Sequence, residues 1–241
     1  MKLDSYAFTN SGGRSYNQDA VGSKEEAERA VFVVADGLGG HRDGEQASAC
    51  VVQTLLEAMP AEEEELAQWL ETAIRQANQN ILDIQAEKHS NMKSTAAAAV
   101  VCREEAAFAN VGDSRVYYLH NKSIAKVTED HSVAYKKYKS GEIARWQIGS
   151  DEDQSCLLRA LGNPERNQPQ CTALDAPLVP GDGFLLCSDG FWEYVFDEEI
   201  LIDFLKAESA QDWAELMLLR AMERIQPGND NLSVLTVMVN P

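Results

Sequence analysis

Short apolar runs with an aspartate at one end recur four times along this chain. They are VFVVADG, FANVGDS, FLLCSDG and DNLSVLTV, and their aspartates are Asp36, Asp113, Asp189 and Asp230. Each run is short, rich in Val, Leu, Phe or Ala, and bounded by turn residues, which is typical of β-strands. The chain is therefore predicted to fold around several strands whose tips carry acidic side chains.

The acidic tips favour a site for divalent metal ions. Several carboxylates that converge on one point repel one another and take up protons unless a cation holds them, and hard oxygen ligands suit Mg²⁺ or Mn²⁺. Glycine after Asp36 and after Asp189 allows a sharp turn and a close approach of the backbone to a ligand. Any one Asp-Gly or Asn-Asp pair is also ordinary turn chemistry. The whole group is harder to explain by turns, because Asp19 in GGRSYNQDA adds a fifth acid near Arg14.

Four amphipathic segments are predicted to be helices. Apolar residues recur at helical spacing over residues 45–59, 62–88, 197–208 and 211–225. Glutamates 62–65 are predicted to lie at the start of the second helix, where they complement its dipole. The core residues predicted for the last helix are Trp213, Leu216, Met217, Leu219 and Met222. Strands, two helices, strands, two helices and a final strand together predict a sandwich of strands covered by helices.

Length, charge and the absence of certain segments predict the domain number, location and partners of the protein. The 241 residues contain no linker, repeat or low-complexity tail, so residues 1–241 are predicted to form a single domain. No run resembles a membrane span, and the segment MKLDSYAFTN lacks the basic and apolar parts of a signal peptide, so we expect a cytoplasmic protein. The formal net charge of −18 argues against nucleic acid or an anionic membrane as a partner. We also expect a monomer.

The cysteines are predicted to be reduced packing residues. They are odd in number, never spaced as CxxC, and mostly within apolar runs, which argues against zinc ligands and disulfides. They are Cys50, Cys102, Cys156, Cys171 and Cys187. A nucleophilic Cys187 is the alternative, but the sequence lacks a loop of glycine and arginine that would hold an anionic substrate beside such a thiol.

The order of the motifs is more informative than any single one. GGRSYNQDA, VFVVADGLGGHRDGEQAS, STAAAAVV, FANVGDSRVYYL, TEDHS, LLRALG, GFLLCSDGFWEYV and GNDNLSVLTVMV follow one another from about residue 11 to residue 239. This succession resembles the metal-dependent protein Ser/Thr phosphatases of the PPM type, also called type 2C, in their compact bacterial form. The resemblance implies an α+β fold, a four-layer α-β-β-α sandwich of two antiparallel sheets flanked by helices, with the metal site at one end.

The resemblance also implies the metal ligands and the reaction. Asp36 would bridge two Mn²⁺ or Mg²⁺ ions, the carbonyl of Gly37 would bind one of them, and Asp189 and Asp230 would complete the other. Asp19 would act through coordinated water. Two such ions about 4 Å apart share a water and lower its pKa, so that the bridging hydroxide attacks the phosphoryl group and no protein nucleophile is needed.

Two further residues receive roles by the same resemblance. Asp113, together with Asp189, would hold a third and weaker metal ion. Arg14 would present its planar guanidinium to two phosphoryl oxygens, which a lysine can do only as a point charge. A surface ion pair is the alternative for Arg14.

Departures from the family pattern leave proton transfer unassigned. Some members carry glutamate where this chain has Gln18, and some carry histidine where this chain has Leu38. His41 is a candidate for substrate contact or proton supply, although a loop histidine is as often structural. His131 in TEDHS is expected to fix its turn.

The segment of residues 133–156, where the family carries a variable flap, contains an unusual basic cluster. Lys136, Lys137, Lys139 and Arg145 lie there among aromatic residues, either as a substrate-recognition surface or as a solvated helix face. The expected substrates are phosphorylated proteins, and a partner Ser/Thr kinase is expected to add the phosphate. The alternative functions are a catalytically inactive binding module and a two-metal hydrolase of small phosphoesters or nucleic acid.

Overall fold

The computed structural model describes residues 1–39, 43–61 and 64–241, and their strands form two antiparallel sheets. The strands are β1 (Lys2–Asn10), β2 (Asp19–Glu26), β3 (Arg29–Leu38), β4 (Lys93–Ser94), β5 (Ala96–Cys102), β6 (Glu105–Val111), β7 (Arg115–His120), β8 (Ser123–Val127), β9 (Gln170–Ala173), β10 (Gly183–Cys187) and β11 (Leu232–Asn240). One sheet has the order β1-β11-β10-β7-β8, and the other has the order β2-β3-β5-β6-β9 with β4 added beside β3.

Helices cover the outer face of each sheet. They are α1 (Asp43–Ala58), α2 (Leu66–Lys88), α3 (Val133–Ser140), α4 (Asp189–Trp192), α5 (Asp197–Lys206) and α6 (Ala210–Arg224), with a 3₁₀ helix over Arg145–Ser150. Helices α1 and α2 pack on the sheet that contains β3 and β5. Helices α5 and α6 pack on the other sheet. The predicted four-layer sandwich is therefore confirmed.

The strands are nearly continuous apolar runs because both faces of each sheet are covered. Alternate residues of a strand face opposite sides. In β10, Phe184 and Leu186 lie between the sheets, whereas Leu185 and Cys187 face the helices. Both faces of β10 exclude water, so a polar side chain within it would need a buried partner, whereas the tip of the strand can carry an acid.

The helix predictions hold except at two places. The second helix begins at Leu66, and Glu65 is its N-cap, with a side chain that accepts hydrogen bonds from the backbone N–H groups of Ala67 and Gln68. Glu62 and Glu63, also predicted at the start of this helix, lie outside the described residues. On α6 the prediction that Leu219 and Met222 belong to the core was wrong, since these side chains are 65% and 73% exposed. The buried stripe of α6 instead runs through residues 213, 217 and 221, four apart.

Four of the five cysteines are at least partly buried, as expected of packing residues, whereas Cys156 is exposed. All five cysteines are free, and burial raises the pKa of the Cys187 thiol, which disfavours the thiolate that a nucleophile needs. Among the described helices, none has both the length and the apolar character required to cross a lipid bilayer.

Candidate active site

The acidic strand tips meet at one end of the sandwich. Strands β2 and β3 pair so that Asp19 lies opposite Asp36, and β10 and β11 bring the residues that follow Cys187 next to those that precede Leu232. A cavity of about 450 Å³ opens there. Its lining includes Arg14, Asp36, Gly37, Asp113, Asp189 and Asp230. Asp19 lies beside it with 8% of its surface exposed.

The carboxylates of this cavity destabilise one another's charge. Burial, followed by repulsion from Asp189 and Asp19, raises the pKa of Asp36 well above its ordinary value. Burial and the charge of Asp189 raise the pKa of Asp113 in the same way. Burial and the neighbouring Asp230 raise the pKa of Asp189 to about 7. Asp36 and Asp189 keep some contact with solvent through the cavity, so a cation can reach both and relieve this repulsion.

Asp19 provides an independent sign that the residues fit a metal site. Its Oδ2 accepts a hydrogen bond of 2.8 Å from Ser188 Oγ. Its Oδ1 is buried and has no hydrogen-bond partner among the described residues. A buried carboxylate oxygen without a donor is costly, and coordinated water or a cation would satisfy it.

The donor set suits ions that keep part of their water shell. Within the described part of the chain, no three His, Cys, Asp or Glu side chains form a compact metal-binding group as they stand. Four of the five acids instead line a cavity that has room for water molecules as well as ions, and Asp19 lies beside it. Mg²⁺ usually retains several waters and takes only a few protein carboxylates.

Close backbone packing holds Gly37 beside the start of α1. A Cβ atom at Gly37 would collide with the backbone carbonyls of Gly44 and Gln18, so only glycine fits there. The Gly37 N–H donates to the Gln18 carbonyl at 3.1 Å, and Ser48 Oγ donates to the same oxygen at 2.5 Å. The glycine after Asp36 is thus required by the approach of α1 to the end of β3.

Arg14 lies at the rim of the cavity and pairs with Asp230. Its Nη2 is 2.9 Å from Asp230 Oδ2, and the two side chains are 55% and 43% exposed. An ion pair this exposed contributes about 0–1 kcal/mol, so the guanidinium can exchange this partner for another anion at little cost. The structure is therefore compatible with both interpretations of Arg14. The side chain forms a surface ion pair, and this pair lies at the cavity where a phosphoryl group would bind.

Asn231 is the site residue that the sequence analysis missed. This buried side chain accepts a hydrogen bond from the Gln18 N–H at 2.7 Å and donates to the carbonyls of Ser11 and Tyr16, each at 2.9 Å. It therefore ties the loop that carries Arg14 to the strand tip that carries Asp230. The sequence did contain a signal for this residue, the second asparagine of GNDN. A buried amide at the start of a strand needs hydrogen-bond partners, so an asparagine there indicates a specific contact.

Comparison with known proteins identifies the family. The sequence model of the family described as "Protein phosphatase 2C" matches residues 11–220. The chain belongs to the protein phosphatase 2C family. It is a serine/threonine phosphatase of the metal-dependent class, which confirms the family and enzyme class predicted from the motifs.

Relatives and solved structures agree over nearly the whole chain. The serine/threonine phosphatase stp of Listeria welshimeri is 34% identical over 236 residues, which cover 94% of this chain and 92% of the relative. The protein phosphatase PhpP of Streptococcus pneumoniae is 27% identical over 233 residues, which cover 94% and 93%. The Mycobacterium tuberculosis serine/threonine phosphatase PstP/Ppp superposes with a TM-score of 0.85 at 28% identity and 99% coverage of both chains. A structure of the PstP catalytic domain in complex with two manganese ions has a TM-score of 0.83 at 27% identity, again with 99% coverage of both chains.

In this phosphatase, Asp113 is held by two neighbours outside the acid group. Trp192 Nε1 donates to the Asp113 carbonyl at 2.9 Å, and the N–H of the preceding Gly112 donates to His131 Nδ1 at 3.2 Å. Burial and the nearby Arg159 lower the pKa of His131 to about 4, so the ring is neutral and able to accept this bond. His131 therefore supports the turn before Asp113, whereas the sequence analysis expected it to fix its own turn in TEDHS.

The basic cluster of the flap is largely neutralised within the phosphatase. Three of its four cations form ion pairs of 2.7–2.8 Å, whereas Lys136 is exposed. The pairs are Lys137 with Asp151 and Asp153, Lys139 with Glu129, and Arg145 with Asp197. These contacts favour a structural role for the basic residues over a surface that attracts substrate. His41, the remaining predicted residue, lies outside the described residues.

Proposed function

We propose that this phosphatase removes phosphate from phosphoserine and phosphothreonine side chains of proteins, with two Mn²⁺ or Mg²⁺ ions held by the acids of the 450 Å³ cavity. The observation that carries the proposal is the convergence of four aspartates from four separate strand tips on this cavity, where burial and neighbouring charges raise the pKa values of Asp36, Asp113 and Asp189. The unpartnered Oδ1 of Asp19 supports it. The manganese ions in the related PstP domain agree with this choice of metal.

Each acid would have a different ligand role, which we assign from its position. Asp36 is assigned as the ligand that would be shared by both ions, because the charges of four other aspartates raise its pKa. Gly37 is assigned as a carbonyl ligand, and Asp189 and Asp230 complete the pair. Asp19 is more deeply buried and acts through water. When bound, such a pair of ions supplies an activated water as the nucleophile.

Asp113 is assigned to a third and weaker ion, shared with Asp189. Among the charges that raise the pKa of Asp113, that of Asp189 is the largest. Asp113 and Asp189 are therefore close enough to share an ion, which supports this assignment.

Arg14 is assigned to bind the phosphoryl group. Its guanidinium reaches the cavity from a loop fixed by Asn231, and its exposed pairing with Asp230 is weak enough to be replaced by a dianionic phosphate. The guanidinium offers two parallel N–H donors to two phosphoryl oxygens. Leu38, which lines the same cavity, has no ionisable group, so the residue that protonates the leaving oxygen is not assigned there.

The cellular setting is part of the same proposal. The substrates are phosphorylated proteins, and a Ser/Thr kinase would supply them. Five free cysteines support a location in the reducing cytoplasm, where thiols are not oxidised to disulfides, and the phosphatase is proposed to act there as a monomer.

Turnover of matched peptides tests the proposal directly. A phosphothreonine peptide and its phosphotyrosine counterpart should be compared with Mn²⁺, with Mg²⁺ and in excess chelator. We expect turnover of the phosphothreonine peptide only when metal is present. Asp36→Asn should lower kcat by several powers of ten, because a charged ligand of both ions is lost, whereas Asp175→Asn, at a side chain that is 92% exposed, should leave kcat unchanged.

Three outcomes would contradict parts of the proposal. Full activity in chelator or in Asp36→Asn would exclude the metal mechanism. Metal binding in calorimetry without turnover of any phosphoester would indicate a binding module. Turnover of small phosphoesters but of no phosphopeptide would indicate a different substrate class.

A further inference from the structure

A second cavity lies beside the catalytic one, between the flap and the segment that follows α4. Its volume is about 760 Å³, larger than the catalytic cavity, and none of the proposed catalytic residues lines it. We call it the flap pocket. Its walls come from the 3₁₀ helix of the flap and from residues 192–198, with Arg115 at the base.

Aromatic rings form much of the flap pocket. Trp146 is 72% exposed and Phe196 is 45% exposed, and Trp192 and Tyr194 also line the cavity. The guanidinium of Arg115 lies 3.5 Å from the centre of the Trp192 ring, so this ring already binds one cation on a face. Trp146 has no such partner among the described residues, and its exposed indole face is the strongest natural binding surface for a further cation.

The charges of the flap pocket favour a positively charged occupant. Asp130 neutralises Arg115 through two hydrogen bonds of 2.8 and 2.7 Å, and Asp197 neutralises Arg145 at 2.7 Å. Two carboxylates that also line the pocket remain. The side chains of Glu193 and Glu198 make no hydrogen bond or ion pair with any residue that the structure describes.

The half-buried Glu193 carboxylate is the more informative of the two. A carboxylate held among aromatic rings without a donor is destabilised, and a cation that enters the pocket would relieve that cost. The formal net charge of −18 adds a general attraction for cations. An aromatic ring and an unpaired carboxylate together are the features that bind the ammonium of lysine or the guanidinium of arginine.

The flap pocket is within reach of a peptide bound in the catalytic cavity. Glu193 and Asp189 are joined through one helical turn, since the Glu193 N–H donates to the Asp189 carbonyl at 3.0 Å. One turn corresponds to about 5 Å along the helix axis. An extended peptide spans about 3.3 Å per residue, so a side chain two to four residues from the phosphorylated one can cross between the two cavities.

We propose that the flap pocket binds a lysine or arginine side chain located a few residues from the phosphorylated serine or threonine of the substrate, an inference that rests on the proposed phosphatase function. Trp146 contacts the cation with its ring face, and Glu193 and Glu198 supply the opposite charge. The flap thus selects basic substrate sequences through its aromatic and acidic residues, while its own basic residues stabilise its fold.

The test compares phosphothreonine peptides that differ at one position. A set of peptides carries a single lysine at each position from two to four residues before or after the phosphothreonine, and a matched set carries norleucine there. With Mn²⁺, we expect kcat/KM for at least one lysine peptide to exceed that of its norleucine match by roughly tenfold, the size expected for one cation–ring contact with a charged partner.

Variants separate the flap pocket from the catalytic cavity. Trp146→Ala and the double variant Glu193→Gln/Glu198→Gln should abolish the lysine preference and leave turnover of p-nitrophenyl phosphate unchanged, because this small substrate does not reach the pocket. Met222→Ala removes an apolar side chain of similar exposure on α6 and should retain the preference.

A binding measurement avoids dependence on turnover. Trp146 is the exposed tryptophan, whereas Trp69, Trp192 and Trp213 are buried, so acrylamide quenches mainly Trp146 fluorescence. In chelator, the preferred lysine peptide should protect against quenching more than its norleucine match does.

The outcomes distinguish this proposal from the proposed function. Absence of turnover on every phosphopeptide would overturn the function. Turnover with equal kcat/KM for lysine and norleucine peptides, or a preference that persists in both pocket variants, would overturn the flap-pocket proposal alone. Loss of p-nitrophenyl phosphate turnover in Trp146→Ala would also overturn it, because that result would assign the residue to catalysis.

Discussion

Removal of the Asn231 side chain should damage both stability and substrate binding. Asn231→Ala deletes one hydrogen bond from the Gln18 N–H and two to the carbonyls of Ser11 and Tyr16. At about 1 kcal/mol net for each bond, the free energy of unfolding should fall by roughly 3 kcal/mol. The loss should not be larger, because water can reach the loosened loop and form hydrogen bonds with the three backbone groups that Asn231 leaves unpaired.

The same substitution should weaken substrate binding, because the loop that it releases carries Arg14. Misplacement of a binding group by about 1 Å can cost a hundredfold in rate, so we expect kcat/KM for p-nitrophenyl phosphate to fall by about ten- to a hundredfold. Most of that loss should appear as a higher KM. The acids of the cavity remain, so calorimetric titration with Mn²⁺ should still show tight binding.

Asn229→Ala is the matched control for this prediction. Asn229 lies two residues away and its side chain donates one local hydrogen bond, to the Asp230 carbonyl at 2.9 Å. Its loss should cost about 1 kcal/mol or less in a denaturant titration. Equal stability and equal kinetics for the two variants would refute the reasoning that Asn231 anchors the Arg14 loop.

Three further predictions concern the charged groups of the cavity. Arg14→Ala should raise KM and cost about 2–4 kcal/mol in kcat/KM, with Arg14→Lys intermediate; unchanged kinetics would leave Arg14 as a surface ion pair. Asp113→Ala should slow turnover while calorimetry still shows the two tight sites, and loss of those sites would place Asp113 in the central pair. The pKa of Asp189 is raised to about 7, so the fold disfavours its charged form. In chelator the free energy of unfolding should therefore fall as pH rises from 4 through 7, and denaturant titrations of Asp189→Asn should show a smaller fall.

The parts of the site that the sequence could predict are those fixed by a single strand. A buried strand must end in a turn, and an acid placed at that end cannot enter the core, so Asp36, Asp113, Asp189 and Asp230 are recognisable without knowledge of their neighbours. The antiparallel pairing of Asp19 with Asp36 then follows once the hairpin is known. These constraints are local, and local patterns are what a sequence displays directly.

The parts that the sequence could not predict depend on partners far along the chain. The ion pair of Arg14 with Asp230 and the contact of Asn231 with Gln18 each join residues more than 200 positions apart. Likewise, the positive charge of the flap was visible, whereas its neutralisation by residues such as Glu129 and Asp197 required the fold. On α6, helical periodicity fixed the spacing of apolar residues but left open which of two apolar stripes is buried.

The position of β11 in its sheet has a consequence for synthesis of the protein. This strand is the last element along the chain, yet it lies between β1 and β10, and Asp230 and Asn231 immediately precede it. Until residues 230–240 have left the ribosome, β1 and β10 lack their shared neighbour and the Arg14 loop lacks its anchor. Pairings between such distant segments form late in folding. A nascent chain can therefore assemble the β2-β3-β5-β6 sheet early, while phosphatase activity waits for the final strand.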